Sequence, residues 1–204
     1  MGSEGRSMRE SILAAAIQLF AEYGYHAAPL RDIARIAGIQ AASIYHHYPN
    51  KQSLLVEIMT TYMQQLNRQI EHILSEYDEP VERLQQAITN HIHLHTRYKA
   101  EFFIIDTEIR SLEAENRLNI ISLRDRYDEL LQELLRDGME RGIFRQSDVK
   151  VTSYAIIAMC TEVATWFRSG GRLTVQQVID IHCQMIMQGL LIDQEATLKQ
   201  RGLS

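Results

Sequence analysis

The segment LRDIARIAGIQAASIYHHY, residues 30–48, constrains the fold more than any other part of the chain. Its first half carries apolar residues at helical spacing: Leu30, Ile33, Ala34 and Ala37. Gly38 then interrupts the pattern, and a glycine permits backbone angles that other residues adopt only at a steric cost. A second short segment is expected to bring Ile44 and Tyr45 into the same apolar cluster. The spacing therefore predicts two short helices that cross steeply at a tight turn.

A helix-turn-helix pattern alone is only moderately specific, because many helical hairpins with a glycine turn never contact DNA. The flanking residues add specificity: Ala16, Leu19, Phe20 and Gly24 precede the segment, and Pro49, Lys51 and Leu54 follow it. Together they resemble the DNA-binding domain of the tetracycline-repressor (TetR) family. The resemblance implies an N-terminal three-helix DNA-binding domain and a larger C-terminal helical domain that binds an effector and dimerises, with about nine helices in all.

Composition independently favours an all-α fold. The 204 residues include only three prolines and ten glycines, and 46% hydrophobic content is ample for a packed interior. No apolar run is long enough to cross a membrane, and the N-terminal residues lack the hydrophobic core of a signal peptide. We therefore expect a cytoplasmic protein. Cys160 and Cys183 lie in apolar helical segments, which predicts buried thiols and no disulfide.

The formal net charge of −5 is unevenly distributed. Residues 1–53 carry five Lys and Arg against four Asp and Glu, whereas the rest of the chain carries 16 against 22. The N-terminal part is therefore slightly positive and the remainder acidic, a modest asymmetry that favours the N-terminal part as the DNA-binding end.

The chain order predicts disorder over residues 1–7, with Arg6 and Arg9 available to DNA phosphates, and then a helix over 8–23 capped by Gly24.

Two positions depart from the TetR pattern. Ala28-Pro29 replaces the hydroxyl residue that commonly caps the second helix and touches a phosphate, and Gln40 replaces the usual Ser or Thr cap before the recognition helix.

The recognition helix is predicted over residues 41–47, with Ile44 and Tyr48 turned inward. Small outward side chains would let it enter the major groove, where the Gln40 amide can contact a base. The resemblance implies that Tyr45, His47 and Lys51 bind phosphates; the alternative is that the His-His-Tyr cluster is ordinary polar surface. The candidate DNA-binding residues are Arg9, Arg31, Gln40, Ala41, Ser43, Tyr45, His46, His47, Tyr48 and Lys51.

A long amphipathic helix is predicted over residues 51–76, more turns than the small domain alone could cover. It would connect a DNA-binding domain of residues 1–50 to an effector-binding and dimerisation domain of residues 51–204. A shift of this helix would move the DNA-binding helices, which provides a physical basis for control by a ligand.

The next helix, over residues 81–97, contains His91, His93 and His95. His91 and His95 lie one turn apart and could share a metal, line a pocket or simply lie on the surface. Helices over the apolar run after Phe102 and over 115–141 follow, in the region where TetR members line the effector cavity. The candidate effector-binding residues are His91, His95, Phe102, Phe103, Asp106, Arg110, Tyr127, Met159, Trp166, Arg168 and Arg172.

The last two helices, over residues 148–168 and 174–191, are apolar on more than one face, so each needs two partners. Packing against the same pair in a second copy gives a two-fold dimer that matches an inverted-repeat operator; a monomer that buries both faces is the alternative. Between them, Trp166, Arg168 and Arg172 could bind an anionic nucleotide-bearing ligand, or the arginines could simply complement a helix C-terminus. This segment and the apolar run from Phe102 together faintly resemble the TetR branch that responds to acyl-CoA thioesters.

These features predict a homodimeric DNA-binding repressor that a hydrophobic effector, an acyl-CoA thioester, releases from an inverted-repeat operator. No cofactor is required by this function, and no resident metal is expected. The alternatives are a metal- or haem-binding helical sensor that uses His91 and His95, and a helical protein-interaction module. No nucleophile elbow, zinc-protease motif or glycine-rich phosphate loop is present, so the sequence gives no support to an enzyme.

Overall fold

The computed structural model describes residues 7–192, which form nine α-helices and one 3-10 turn. The helices are α1 Met8–Tyr23, α2 Leu30–Ile36, α3 Ala41–Ile44, α4 Lys51–Glu76, α5 Pro80–Arg97, α6 Lys99–Thr107, α7 Ala114–Glu140, α8 Val149–Trp166 and α9 Val175–Leu190, and the 3-10 turn is Ile109–Ser111. Within residues 7–192, β-type pairing is limited to an isolated bridge between Phe144 and Leu191. The all-α prediction is confirmed. None of the helices in the described range is both long and apolar enough to cross a membrane.

The sequence placed most helix ends within one or two residues, and α1 and α4 have the predicted bounds. Two local predictions need correction. Helix α3 ends at Ile44 instead of residue 47, because residues 45–47 form a turn. Ser7, assigned to a disordered segment, is the N-cap of α1 and forms a capping box with Glu10. The rest of that segment, including Arg6, lies outside the described residues.

Contacts divide the described residues into two units. The N-terminal unit comprises residues 7–65 and 98–124. In it, α1 packs against α2 and α6, and α2 packs against α3. The core formed by α1, α2 and α3 consists of buried apolar side chains: Ile12, Ala16, Phe20, Ile33, Ala34 and Ile44. Helix α6 and the start of α7 thus share a contact unit with the helix-turn-helix.

The C-terminal unit comprises residues 66–97 and 125–192, in which α5 packs against α8 and α9. Gly138 shows how tightly α7 packs here, since a Cβ atom at this position would lie 2.1 Å from Cδ2 of the fully buried Phe144. Helices α4 and α7 are continuous from one unit into the other. The functional boundary at residues 50 and 51 remains a prediction, because contact units need not coincide with functional domains.

Candidate nucleic-acid interface and effector site

The turn between α2 and α3 depends on Gly38, whose φ of 74° lies in the left-handed region. The N–H of Ile39 donates to the carbonyl of Ala34 at 3.0 Å and so closes the end of α2. On the other side of the turn, Ile44 is completely buried, whereas Tyr45, which was also expected in the apolar cluster, is 58% exposed. The sequence therefore fixes α3 by a glycine turn and one apolar anchor, and the rest of this short helix is available to a ligand.

The outward side of α3 carries most of the predicted DNA-binding residues. Gln40, Ala41, Tyr45 and His46 are exposed, and Ser43 and His47 are half-buried. Tyr48 differs, because only 1% of it is exposed. Its inward orientation is as predicted, and its place among the DNA-binding candidates is corrected: a ring buried in the core does not reach a phosphate.

Neither helix of the motif has a side-chain cap. Pro29 and Gln40 occupy the N-cap positions of α2 and α3, and neither makes a side-chain capping hydrogen bond. This agrees with the departures from the TetR pattern seen in the sequence. The start of α2 must therefore be held by other contacts.

The guanidinium group of Arg9, a predicted phosphate contact, is engaged within the protein. Its Nε donates to Oε1 of Glu57 at 3.1 Å, and its Cζ lies 4.9 Å from the centre of the Tyr48 ring. This pair ties the first turn of α1 to α4. Arg31 is exposed on α2 and keeps its predicted role as a candidate.

The ammonium group of Lys51 is also engaged within the protein. Its Nζ atom donates to the carbonyl oxygens of Tyr25 at 2.7 Å, Ala28 at 3.2 Å and His26 at 3.3 Å, and it lies 4.4 Å from the centre of the Tyr25 ring. Burial lowers the pKa of Lys51, although the nearby carboxylate of Glu108 opposes this shift. In this structure the ammonium group is bonded to the backbone between α1 and α2, and its phosphate contact stays a prediction.

In the C-terminal unit, the structure brings His91, His95 and Tyr127 together. The Nδ1 atom of His91 lies 2.9 Å from the Tyr127 hydroxyl, and its Nε2 lies 2.9 Å from Oγ1 of Thr161. The imidazole of His95 stacks on that of His91 with their centres 4.0 Å apart. Burial, followed by the effect of His95, holds the pKa of His91 well below its usual value, so the ring is neutral.

This arrangement does not favour a shared metal. Both ring nitrogens of His91 are occupied by hydroxyl groups, and Nδ1 of His95 lies 2.9 Å from the carbonyl oxygen of His91. Among residues 7–192, no group of three or more His, Cys, Asp and Glu side chains is placed to hold a metal ion. The His91 and His95 pair is a buried polar cluster in the apolar interior of the unit.

A small cavity adjoins this cluster. Its volume is about 10 Å³, close to the space that one water molecule needs. It is lined by Ala87, Ile88, His91, Tyr127, Leu131, Ile156, Ile157 and Cys160. A larger ligand could enter only if these side chains moved apart.

The remaining effector candidates are more scattered. In the N-terminal unit, Phe102 is buried, Phe103 and Arg110 are exposed, and Asp106 pairs with Arg124. In the C-terminal unit, Met159, Trp166, Arg168 and Arg172 are exposed. Arg168 donates to the carbonyls of Thr165 and Phe167, which matches the plainer interpretation of a cation at a helix C-terminus.

Helices α8 and α9 bury one apolar face inside the unit and leave another exposed. The exposed apolar side chains are Val151, Tyr154, Met159 and Trp166 on α8 and Ile181 and Met185 on α9. Half of Trp166 and 54% of Met185 are exposed. Two neighbouring helices with this pattern have the character of an interface.

Several residues of these sites were not identified from the sequence. Glu57 bonds to Arg9, which lies 48 positions away along the chain, and Glu108 bonds to Tyr25, which lies 83 positions away. Thr161 bonds to His91 across 70 positions. No helical period links such distant residues. A sequence signal existed only for Ser7, since Ser-Met-Arg-Glu has the spacing of a capping box.

Comparison with protein families gives two matches. Residues 12–58 match the family described as bacterial regulatory proteins, tetR family. Residues 77–190 match the family described as tetracyclin repressor-like, C-terminal domain. Together these segments take in the helix-turn-helix and most of the C-terminal helices.

Individual relatives match over most of their length. The chain is 31% identical to the transcriptional repressor KstR2 of Mycobacterium tuberculosis, over 90% of this chain and 93% of that protein. The crystal structure of PfmR from Thermus thermophilus has a TM-score of 0.81 at 34% identity, over 87% of this chain and 97% of that one. The structure of AibR in complex with isovaleryl coenzyme A and operator DNA has a TM-score of 0.80 at 30% identity, over 88% and 97%.

Proposed function

Because the chain belongs to the TetR family of bacterial transcriptional regulators, we propose that it is a repressor that leaves its operator when it binds a hydrophobic effector. The family consists of DNA-binding regulators and not of enzymes. Its repressors bind operator DNA as dimers and bind small effectors. The observation that carries the proposal for this chain is the short helix α3, anchored by Ile44 and exposed on its other side.

The exposed side of α3 supplies the DNA contacts. Gln40 lies at the start of the helix, where its amide can form a paired hydrogen bond with an adenine edge in the major groove. The methyl group of Ala41 suits contact with a thymine methyl. Tyr45 and His47, in the turn that follows, are suited to phosphate oxygens. Arg31 on α2 extends this surface with a positive charge.

Two copies of α3 are needed to bind an inverted repeat. We assign dimerisation to the exposed apolar side chains of Val151, Tyr154 and Met159 on α8 and of Ile181 and Met185 on α9, because their burial against the same pair of helices in a second copy would remove apolar surface from water. Such a two-fold dimer presents two equivalent α3 helices to successive major grooves. A bacterial DNA-binding regulator of this kind acts in the cytoplasm.

The proposed effector is an acyl-CoA thioester. Its support is the structure of AibR, which was determined with isovaleryl coenzyme A, together with the 24% identity to a protein named fatty acid metabolism regulator in Bacillus subtilis. In this chain, the apolar cavity beside His91 and Tyr127 offers a place for an acyl chain with a polar pair near its carbonyl. Trp166 and Arg172 are exposed and available to an adenine ring and phosphates.

Entry of an acyl chain would require expansion of the cavity, since its present volume is about 10 Å³. We propose that this expansion displaces α4, which runs without interruption into the N-terminal unit. Effective release requires a ligand with a strong preference for the displaced state: a change from 99% to 1% of the binding-competent state corresponds to about 5.5 kcal/mol.

Fluorescence anisotropy on a labelled duplex, enriched by the parent protein from a random-sequence library, tests the DNA-binding function. We expect tight binding to the enriched duplex, weak binding to a scrambled one, and loss of the difference on addition of one member of a series of acyl-CoA thioesters. Failure to enrich any duplex would contradict the repressor function. Enrichment without a response to any thioester would contradict only the effector assignment.

The variant Trp166→Ala tests the proposed mouth of the effector site, with Leu118→Ala as a control that removes an exposed apolar side chain from α7. Trp166→Ala should need more thioester for release while its DNA affinity stays close to that of the parent. An equal response from both variants would place the effector elsewhere.

A further inference from the structure

The loop between α1 and α2 is held by side chains from two other parts of the N-terminal unit. This loop, residues 24–29, leads into a helix whose N-cap residue, Pro29, offers no side-chain hydrogen bond. In a helix-turn-helix, the start of the first helix of the motif also sets the position of the second. The contacts that hold this loop therefore bear on where α3 lies.

The carbonyl side of the loop is held by Lys51, at the first position of α4. Its ammonium group donates to the carbonyls of Tyr25, His26 and Ala28 and rests against the Tyr25 ring. An ammonium group has three protons, so these three contacts can use its whole donor capacity. A lysine used in this way has no donor left for a phosphate.

The amide side of the loop is held by Glu108, directly before the 3-10 turn. Its Oε1 accepts from the N–H of Tyr25 at 3.1 Å, and its Oε2 accepts from the Ser111 hydroxyl at 2.7 Å. That hydroxyl lies 3.1 Å from Nε2 of His26. Gly24 leaves room for the carboxylate, because a Cβ atom there would lie 3.2 Å from Oε1 and its φ of +81° also favours glycine.

Gln52 links the two sides. It follows Lys51 on α4, its Nε2 donates to the carbonyl of Ser111 at 3.2 Å, and its Oε1 accepts from the N–H of Glu113 at 3.3 Å. The start of α4 and the segment from Glu108 to Glu113 are thus bonded to each other as well as to the loop. We call the contacts of Lys51, Gln52, Glu108 and Ser111 the loop clasp.

We propose that Lys51 and Glu108 are positioning residues for DNA binding, which act by fixing the α1–α2 loop and hence α2 and α3, and that Lys51 does not bind a phosphate. This inference rests on the proposed function. In this proposal, the segment between α6 and the 3-10 turn positions the DNA-binding helices through its contacts with the α1–α2 loop. It also explains how α2 can begin at Pro29 without a hydroxyl cap.

The salt dependence of DNA binding distinguishes the two roles of Lys51. Loss of a phosphate contact reduces the slope of log affinity against log salt concentration by about 0.9 per contact, whereas loss of a positioning contact leaves the slope unchanged. We expect Lys51→Met to weaken binding to the enriched duplex about tenfold, the size of one charge-assisted hydrogen bond, with the parent slope. A reduced slope, or parent affinity, would overturn the assignment.

Glu108 is tested by two variants and a matched control. Glu108→Ala removes both acceptors and should weaken DNA binding about tenfold. Glu108→Gln keeps an acceptor for the Tyr25 N–H and can donate to the Ser111 hydroxyl, so it should restore most of the affinity. Glu115→Ala removes an exposed carboxylate from the first turn of α7 and controls for the change in net charge. Equal affinities for Glu108→Ala and Glu115→Ala would contradict the proposal.

Hydrogen exchange supplies a readout that does not depend on DNA. Glu108→Ala should speed exchange at the Tyr25 amide, while the amides in the middle of α1 keep the parent rate. Unchanged exchange at Tyr25 would overturn the clasp even if DNA binding falls. Failure of the parent to enrich any duplex would instead reject the proposed function. If Lys51→Met does not fold, the Glu108 variants decide the matter.

Discussion

The Nδ1 atom of His91 lies 2.9 Å from the hydroxyl oxygen of Tyr127, and both side chains are buried in the C-terminal unit. A neutral imidazole has one donor and one acceptor nitrogen, so one of its two hydroxyl partners, Tyr127 and Thr161, donates and the other accepts. The folded protein keeps this ring neutral because burial, aided by His95, lowers the pKa of His91 well below 6.5.

A pH dependence of stability follows. As the pH falls below about 6.5, an unfolded chain gains a proton on this residue that the folded chain does not, so the free energy of unfolding decreases. The maximum slope from this one group is about 1.4 kcal/mol per pH unit. Urea denaturation of the parent and His91→Gln at pH 7.5, 6.5 and 5.5, at one protein concentration, should show a steeper loss for the parent.

His93→Gln is the matched control, because His93 lies on the same helix and is exposed. It should keep the parent slope. A parent and a His91→Gln variant with equal slopes would show that His91 titrates alike in the folded and unfolded states.

Gly138 is expected to be essential for packing. A methyl group at this position would lie 2.1 Å from the ring of Phe144, which is completely buried. Gly138→Ala should therefore lower the free energy of unfolding by about 1–3 kcal/mol, measured by urea denaturation, despite the higher helix propensity of alanine.

Gly189→Ala makes the same change in α9 at an exposed position where a Cβ atom meets nothing within 4 Å. It should raise the stability by up to about 1 kcal/mol. A neutral effect of Gly138→Ala would mean that Phe144 readily moves aside.

Dimerisation through α8 and α9 predicts that a charge on their exposed apolar surface will separate the protomers. Met185→Glu would place an unpaired carboxylate in the interface and should make the free energy of dimerisation less favourable by several kcal/mol. Sedimentation equilibrium should show a dimer for the parent and a shift towards monomer for this variant. Leu118→Glu introduces the same charge at an exposed apolar position on α7 and should remain dimeric. A parent that is monomeric at all concentrations would refute the assignment.

Gln40 is expected to determine base preference. Its side chain is exposed at the N-terminal end of α3 and makes no cap to the helix, so removal of its amide should leave the fold intact. Repeated enrichment from the random library with Gln40→Ala should lose discrimination at one base position of each half-site, worth about 1–3 kcal/mol, with the parent salt slope. Unchanged base preference with a reduced slope would make Gln40 a backbone contact.

Sequence spacing predicted most of the fold because helices are determined locally. Apolar residues at intervals of three and four placed α1 and α4 correctly, and Gly24 and Gly38 marked two turns that require a positive φ. The exception was α3, where residues 45–47 continue the helical spacing but form a turn. So short a segment gains too few hydrogen bonds for propensity alone to decide its end.

The roles of individual charged side chains were decided by tertiary structure. Arg9 and Lys51 have the sequence positions of phosphate contacts, yet they bond to Glu57 and to the backbone of the α1–α2 loop. A long flexible side chain can reach several partners, and the nearest one depends on elements far away in the chain. The sequence by itself thus determined the helices, their turns and the family to which they belong. Only tertiary packing decided which partners the polar and charged side chains bind, since it brings Glu108 to Tyr25 and Thr161 to His91. Hydrogen bonds between residues so far apart along the chain produce no periodic pattern in the sequence.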